Sequence, residues 1–463
     1  MILERHYLGC LSQASYLIVD ELTKTAAVVD PRRDVELYLE AAARHGATIR
    51  HVFLTHFHAD FVAGHLELAR RTGATLYLGR RATADYEFRP MGDGDRVEFG
   101  QVSIEALETP GHTPESVTWL VRDLAPDAAV PLYALTGDTL FIGDVGRPDL
   151  MASVGVTAQE LASEMYDSLH DKLLALPDDT VVYPGHGAGS ACGKSLSDAE
   201  RSTIGEQRAT NPALRPLGKE EFVAELTTGQ PAAPAYFAHD ATLNRGQVEG
   251  LDRLVGDGPP AMTLDQVLAA QAEGAQVLDV RGAEAFAAGH LAGSDAIGLE
   301  GRFASWAGSL LDLERPIVVV TKPGTEREVA VRLARVGLDR VLGYLDGAEQ
   351  AFAARPDLVR SFPRVEASAL PTLLSGTGAP LPVDIRAPGE WADGHLDGAV
   401  HVPLVELAGR TAELPRDRPL LLICRSGYRS SPAAAILERE GFGPVMELRG
   451  GMLAVESAGS AKG

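Results

Sequence analysis

The sequence predicts an α/β protein. Three observations predict it. Strand-like and helix-like segments alternate over residues 1–240. Motifs carrying histidine and aspartate stand just after several strand-like runs. The C-terminal part carries one pattern of strands and helices twice. A chain of 463 residues has room for about three domains.

The elements follow in order. Residues 14–20 (ASYLIVD) and 25–31 (TAAVVDP) read as a strand pair around a turn. DVELYLEAAARHG at 34–46 has helical apolar spacing and ends at a capping Gly46. IRHVFLTH at 49–56 is a buried-strand pattern that runs into histidines. A helix is expected over 61–72 and strands over 75–79, 95–99, 101–108, 117–122 and 132–136. A long helix fits 157–176, a strand 180–183 and a helix 197–210. Residues 241–262, with Gly-Asp-Gly-Pro-Pro at 256–260, read as a linker. Beyond it, LDVRGAEAFAAGHLAGSDAI at 278–297 aligns without a gap on VDIRAPGEWADGHLDGAVHV at 383–402. Residues 317–348 align on 420–451 in the same way. The expected domains are 1–240, 263–358 and 364–460, the last two being copies of one small α/β unit.

Composition narrows the function class. Net charge is −22, from 64 acidic and 42 basic side chains. That balance argues against nonspecific nucleic-acid binding and against an anionic membrane surface. It leaves anionic small substrates open, because a site can be locally basic. Three cysteines, Cys10, Cys192 and Cys424, are too few and too odd for a disulfide framework. MILERHYLGCLSQASYLIVD at the N-terminus interrupts its apolar residues with acids, Ser and Gln, unlike a signal peptide. No run of about 18 apolar residues predicts a transmembrane helix. The expectation is a soluble protein of the reducing cytoplasm, with a homo-oligomer left open.

The motifs of the first domain point to a metal. THFHADFVAGH at 55–65 holds His56, His58 and Asp60; TPGHTPES at 109–116 holds His112; LTGDTL at 135–140 holds Asp138; YPGHG at 183–187 holds His186. One histidine after a strand is usually structural, but several at strand ends gather where α/β folds collect ligands. These motifs, with TGDTLFIGDVGRPDL at 136–150, resemble the persulfide (sulfur) dioxygenase branch of the metallo-β-lactamase superfamily. The resemblance covers residues 1–240 and implies an αββα sandwich followed by the two smaller domains. Many metal hydrolases with a similar stretch read HxHxDH. Here Phe61 takes the place of the last histidine, and a phenyl ring cannot bind a metal. The resemblance implies one Fe(II) per chain held by His56, His112 and Asp138, the two-histidine, one-carboxylate set of non-haem iron oxygenases. His58, Asp60 and His186 then orient ligands or hydrogen-bond reactants. It also places Arg147 and Asp149 of GRPDL, with Tyr183, on the substrate side, where an arginine suits the anionic groups of a thiol carrier. Asn211-Pro212 is followed by Ala213 rather than a basic residue, which keeps glutathione, coenzyme A and other thiols all open. Cys192, in the glycine-rich GHGAGSACGKSL, is a candidate to receive a persulfide near the iron.

The last copy ends a buried strand, LLLIC, at Cys424 and continues as CRSGYR into a helix. Backbone N–H groups of such a loop form an anion cradle, and their field stabilises a thiolate. Arg425 and Arg429 add positive charge. With Asp384-x-Arg386 and Gly394-His395 upstream, the copy resembles an active rhodanese, a sulfurtransferase. The middle copy reads Thr321-Lys322-Pro323-Gly324-Thr325-Glu326 at the same place. Thr replaces the nucleophile, Pro removes an N–H, and Glu326 replaces Arg429, so this rhodanese-like copy is expected to be silent. Together the resemblances imply oxidation of a low-molecular-weight thiol persulfide by O2 to sulfite, coupled to sulfur transfer among persulfide, sulfite and thiosulfate at Cys424. Two rivals remain at this point. One is a zinc thioester hydrolase of the glyoxalase II kind carrying rhodanese domains. The other is a persulfide-sensing interaction protein.

Overall fold

The computed structural model describes residues 1–125, 132–150, 155–230 and 232–460. The chain forms two compact units, Met1–Gly256 with Leu333–Leu338, and Asp257–Arg332 with Asp339–Gly463.

The first unit begins with β1 (Ile2–Leu8), β2 (Gln13–Asp20), β3 (Thr25–Val29), α1 (Glu36–Arg44), β4 (Thr48–Phe53), α2 (His65–Thr72), β5 (Thr75–Gly79) and β6 (Arg89–Met91). There follow β7 (Arg96–Phe99), β8 (Val102–Glu108), β9 (Val117–Asp123), β10 (Tyr133–Gly137), the short pair β11 (Leu140–Phe141) and β12 (Asp144–Val145), and α3 (Ala158–Asp167). It closes with β13 (Val181–Pro184), β14 (Ser202–Thr203), α4 (Ile204–Thr210), α5 (Lys219–Thr227), α6 (Phe237–Arg245) and α7 (Leu251–Leu254). One sheet has the order β1-β2-β3-β4-β5-β6 and the other β14-β13-β10-β9-β8-β7.

The period of two along each strand decides the layers. In β2, Ala14, Tyr16 and Ile18 join Phe53, Tyr77, Trp119 and Leu135 in the core between the sheets. Leu17 and Val19 point the other way, onto Tyr38 and Ala41 of α1. On the far side Val182 of β13 packs with Ala162 and Met165 of α3. Helix, sheet, sheet and helix thus make the αββα sandwich. The strand β3 runs parallel to β4, with Val29 opposite Phe53, and β10 runs parallel to β13. Parallel pairing delivers Asp30 with Thr55–Asp60, and Asp138 with His186, to shared strand ends.

Several elements differ from the sequence reading, among them the helix expected over 197–210, which starts only at Ile204 after the short strand β14. The strand β1, whose ILERHYL mixes charge with apolar residues, pairs with β2 along its whole length. The expected helix over 61–72 starts only at His65, because residues 58–63 are held as a loop by side chains described below. The expected helix over 157–176 ends at Asp167, then continues through a wider turn (Ser168–Lys172) and a tighter one (Leu173–Ala175). Ser168 Oγ donates to Pro110 O (2.7 Å) and Lys172 Nζ to Glu108 O (2.7 Å), which ties this irregular stretch to the His112 loop. The first unit also extends to Gly256, so the end of α6 and all of α7 lie in the stretch read as linker.

The second unit contains two five-stranded parallel sheets. In the first, strands 261–262, 341–345, 317–320, 276–279 and 295–296 lie side by side in that order. In the second, strands 364–365, 445–448, 420–423, 381–384 and 400–401 repeat it. The duplication in sequence is thus a duplication of topology. The copies share apolar surface, for Trp306 and Leu310 of the first pack with Phe362 against the core of the second. No helix among the described residues is long and apolar enough to cross a membrane.

Candidate metal centre and thiol cradle

The strand ends of the sandwich bring together the motif residues of the first unit. Ligand atoms of His56, His112 and Asp138 lie within 4.8 Å of one another, and so do those of His58, Asp60 and His186. All six residues are buried. The Asp138 carboxylate is the centre, with its Oδ2 4.0 Å from His56 Nε2, 3.6 Å from His112 Nε2 and 3.5 Å from His186 Nε2. Glycines permit this crowding. A side chain at Gly137, where φ is +51°, would strike Thr55 at 2.5 Å, and one at Gly185 would strike Asp138 Oδ1 at 2.6 Å.

Hydrogen bonds aim the rings. His112 Nδ1–H donates to Arg147 O (2.9 Å), and His186 Nδ1–H donates to Ser12 O (3.1 Å). His56 Nδ1–H reaches Thr55 Oγ1 (3.0 Å), whose own proton goes to Asp30 Oδ2 (2.8 Å). Each bond leaves Nε2 with its lone pair facing Asp138. Among the described residues, His56 Nε2, His186 Nε2, Asp60 Oδ1 and both Asp138 oxygens are buried without a hydrogen-bond partner. Bare donors of this kind carry a high desolvation cost unless a cation meets them. The donor set therefore fits a metal ion. Burial, with His58, His112 and His186 adding like-charge repulsion, drives His56 well below the ordinary histidine value. Its ring stays neutral, the form that binds metals. Burial likewise raises Asp60. For His186, burial works downward, but the Asp138 and Asp60 carboxylates outweigh it and raise the value.

The remaining residues of the site fall into place differently. Phe61 is buried with its ring on His58, centroids 4.3 Å apart, and closes that side of the second cluster with hydrocarbon. Cys192 is buried, and its Sγ belongs to a group with Asp138 and His186. Burial, with the Asp60 and Asp138 charges, pushes this thiol well above the usual cysteine range. Arg147 is 1% exposed at its side chain and grips Asp149 through Nε and Nη2, both at 2.7 Å. It also donates to Ala191 O, and its backbone N–H donates to Cys192 O. Arg147 and Asp149 thus fasten the Cys192 loop and the His112 acceptor together. The Tyr183 ring stands in the core between the sheets, beside Tyr16 and Tyr133, with its hydroxyl toward Arg201. Two residues absent from the sequence reading complete the scaffold. Asp30, with φ +50°, accepts from Thr55 N (2.7 Å) and lies 3.1 Å from His58 Nε2. Asn244 of α6 grips the loop that carries His58 and Asp60. The acid after a strand in VVDP was the only trace of the first.

In the second unit Cys424 ends the strand Leu420–Ile423 and is fully buried. Gly427 N–H donates to its Sγ (3.0 Å), and Ser430 Oγ lies 3.4 Å away. A side chain at Gly451 would meet Cys424 O at 2.3 Å, so glycine lets the last helix press against the loop. Arg425 is exposed. Arg429 donates two hydrogen bonds of 2.6 Å to the Glu390 carboxylate, and Arg386 forks onto Asp384 and Gly394 O. The first copy keeps the same fork, Arg281 on Asp279 and Gly289 O. Its loop differs. Glu326 Oε1 accepts from Gly324 N–H (3.0 Å), the group equivalent to Gly427 N–H, and Thr321 Oγ1 pairs with Thr325 Oγ1 (2.6 Å). The cradle of this copy is filled by its own side chains. Between the copies lies a cavity of about 520 Å³ walled by Thr321, Lys322 and Arg332 on one side and Ser426, Gly427 and Tyr428 on the other.

Comparison with known proteins follows this geometry. The family description "Metallo-beta-lactamase superfamily" matches residues 8–186, and "Rhodanese-like domain" matches 263–355 and 367–458. The mitochondrial persulfide dioxygenase ETHE1 of Homo sapiens is 32% identical over 215 residues, covering 45% of this chain and 74% of that protein. A hydroxyacylglutathione hydrolase of Rhizobium etli is 32% identical over 234 residues, covering 50% and 84%. The crystal structure of a metallo-β-lactamase from Staphylococcus aureus subsp. aureus COL is 31% identical with a TM-score of 0.66, covering 74% of this chain and 98% of that one.

Proposed function

The chain belongs to the metallo-β-lactamase superfamily and carries two rhodanese-like domains, and on that premise we propose that it is a persulfide dioxygenase with a sulfurtransferase arm. One observation carries the reading. A buried, bare set of two imidazoles and one carboxylate, His56, His112 and Asp138, shares a chain with a complete thiol cradle at Cys424. A two-histidine, one-carboxylate set is the donor pattern of non-haem Fe(II) oxygenases. His56, His112 and Asp138 would hold one Fe(II), which would supply the oxygen chemistry needed at a persulfide's outer sulfur. The overall reaction takes a thiol persulfide, O2 and water to the free thiol, sulfite and two protons.

The chain's own residues do the rest. The carbonyls of Arg147 and Ser12 hold the His112 and His186 rings in one tautomer. His186 and Asp60, 3.5 Å apart, stand beside Asp138 and can hold a proton near the reacting sulfur. Phe61 keeps water from the His58 side. Cys192, whose Sγ lies beside Asp138 and His186, is in this reading the thiol that meets the sulfur chain of a substrate. At Cys424, Gly427 N–H stabilises a thiolate that takes up sulfane sulfur as a persulfide and passes it to sulfite, giving thiosulfate, or to a thiol. The thiol carrier is of the glutathione or coenzyme A kind. With three free cysteines and a −22 charge, a reducing cytoplasm suits the protein.

A second reading has its own observation. His58, Asp60 and His186 also lie within 4.8 Å of one another, the placement a two-metal thioester hydrolase would need. One experiment separates the two. Purified chain is expected to hold about one iron and to consume O2 with glutathione persulfide or coenzyme A persulfide. Two zinc ions per chain, with thioester hydrolysis and no O2 uptake, would overturn the dioxygenase.

A further inference from the structure

We infer that Asn244 is a positioning residue for the metal centre. It lies at the end of α6, in a stretch whose sequence reads as linker. Its side chain is fully buried. One amide group serves three peptide groups of a single loop. Nδ2 donates to His58 O (2.7 Å) and to Phe61 O (2.7 Å), and Oδ1 accepts from Ala63 N–H (2.8 Å). Those groups bracket Asp60. Fixing the carbonyls of residues 58 and 61 fixes the 58–59 and 61–62 peptide planes, which frame the short segment that carries Asp60 and follows His58.

The chemistry selects asparagine. The loop offers two acceptors and one donor, and only a primary amide answers with two donors and one acceptor on so short a stem. Aspartate would set oxygens against two carbonyl oxygens. Glutamine is one methylene too long for a closely packed site. The grip also explains why the chain from 61 to 64 is not helical, since its first carbonyl and N–H groups are already engaged. Asp60 has its Oδ1 bare and its Oδ2 3.5 Å from His186 Nε2. A loop free to drift would let these groups turn to each other or to water. Asn244 thus acts through His58 and Asp60, as partners behind a metal's neighbours do. The inference holds for either metal, so it stands or falls apart from the dioxygenase reading.

The test uses the full chain with Asn244→Ala, Asn244→Asp and, as a control, Tyr86→Phe. Tyr86 donates its hydroxyl to Asn244 O (2.9 Å), so the control loosens the same helix end and leaves the amide in place. Three quantities are read on folded protein: Fe(II) affinity by competition with a chelator, the electron paramagnetic resonance spectrum of the nitric oxide adduct of the ferrous protein, and the Tm. Both Asn244 variants are expected to bind iron roughly 10–100-fold more weakly, with an altered spectrum. Tyr86→Phe is expected to lower the Tm and leave both metal readouts at the wild-type level. If Asn244→Ala does not fold, Asn244→Ser, which leaves room for a water, carries the same readouts. Wild-type iron affinity and spectrum in the Asn244 variants, with only the Tm reduced, would overturn the inference and make the residue a packing element.

Discussion

Glu447 is a fully buried acid whose Oε2 accepts from Arg364 Nε at 3.0 Å. Burial, only partly offset by the Ser431 hydroxyl and by Arg364, pushes its carboxyl from the ordinary 4.5 up to about 7. The folded state holds this proton more tightly than the unfolded chain does. Its contribution to stability is therefore full below pH 4.5 and is lost as pH rises through 7, and the rise is worth at most about 3 kcal/mol. Glu447→Gln keeps the shape and removes the titration. Urea unfolding of the second unit's transition from pH 5 to pH 8 is expected to show a flatter profile in the variant, and greater stability than wild type at pH 8. A variant less stable at pH 8 would mean that Glu447 works as an ionised partner of Arg364. At this scale the sequence was uneven. His56, His112, Asp138 and Cys424 were legible because each follows a strand and keeps its motif spacing. Asp30 and Asn244 were not. Their work is to hold backbone and hydroxyl groups of residues distant in the chain, and only folding reveals those partners. Arg147 was legible as important, but its partner Asp149 stands two residues on, and the resulting ion pair turns it inward.

Strand, loop and helix around Cys424 form the unit in which the first copy has a visible task. Tyr428, within the catalytic loop, donates its hydroxyl to Gly298 O of the first copy at 2.6 Å. Arg364 reaches Gly427 O on the same loop and pairs with Glu284 of the first copy. The loop that presents Gly427 N–H to the thiol is thus braced from the copy that has lost its own nucleophile. Tyr428→Phe removes one brace at little cost in volume. A hydrogen bond of this kind is worth about 1 kcal/mol, so sulfur transfer at Cys424 is expected to slow roughly fivefold. O2 uptake with a small persulfide should stay at the wild-type rate. Unchanged sulfur transfer would show that the loop holds its shape alone. The exchange of cysteine and arginine for Thr321 and Glu326 was readable in the sequence, while the bracing was not, because the contacts join residues 130 positions apart. Helix 157–176 gives the opposite case. Its apolar spacing is regular, and the break after Asp167 comes from Ser168 and Lys172 bonding carbonyls of the His112 loop. Local propensity yields there to a tertiary bond that propensity cannot register.

Across the whole molecule, the proposed function joins an oxygen-consuming centre to a sulfur carrier. Covalent linkage raises the effective concentration of an intermediate that both use, and it does so without any contact between them. The two directions of exchange differ in what they demand of Cys424. If sulfite leaves the metal centre and is converted to thiosulfate, the first reaction runs without the thiol. If thiosulfate supplies the persulfide, the metal centre depends on the thiol for its substrate. Cys424→Ser keeps a side chain of similar size beside Ser430 and Gly427 N–H, and it removes the sulfur of the CRSGYR loop. Transfer from thiosulfate is expected to vanish. With glutathione persulfide added directly, O2 uptake is expected to stay within about twofold of wild type, since His56, His112 and Asp138 all belong to the other compact unit. The product should then be free sulfite, where the wild-type chain yields thiosulfate. Ion chromatography of sulfite and thiosulfate beside an oxygen electrode reads all three quantities at once. Equal loss of O2 uptake and transfer would mean that sulfur reaches the metal only after passing through Cys424, and would reverse the order of the two reactions proposed here.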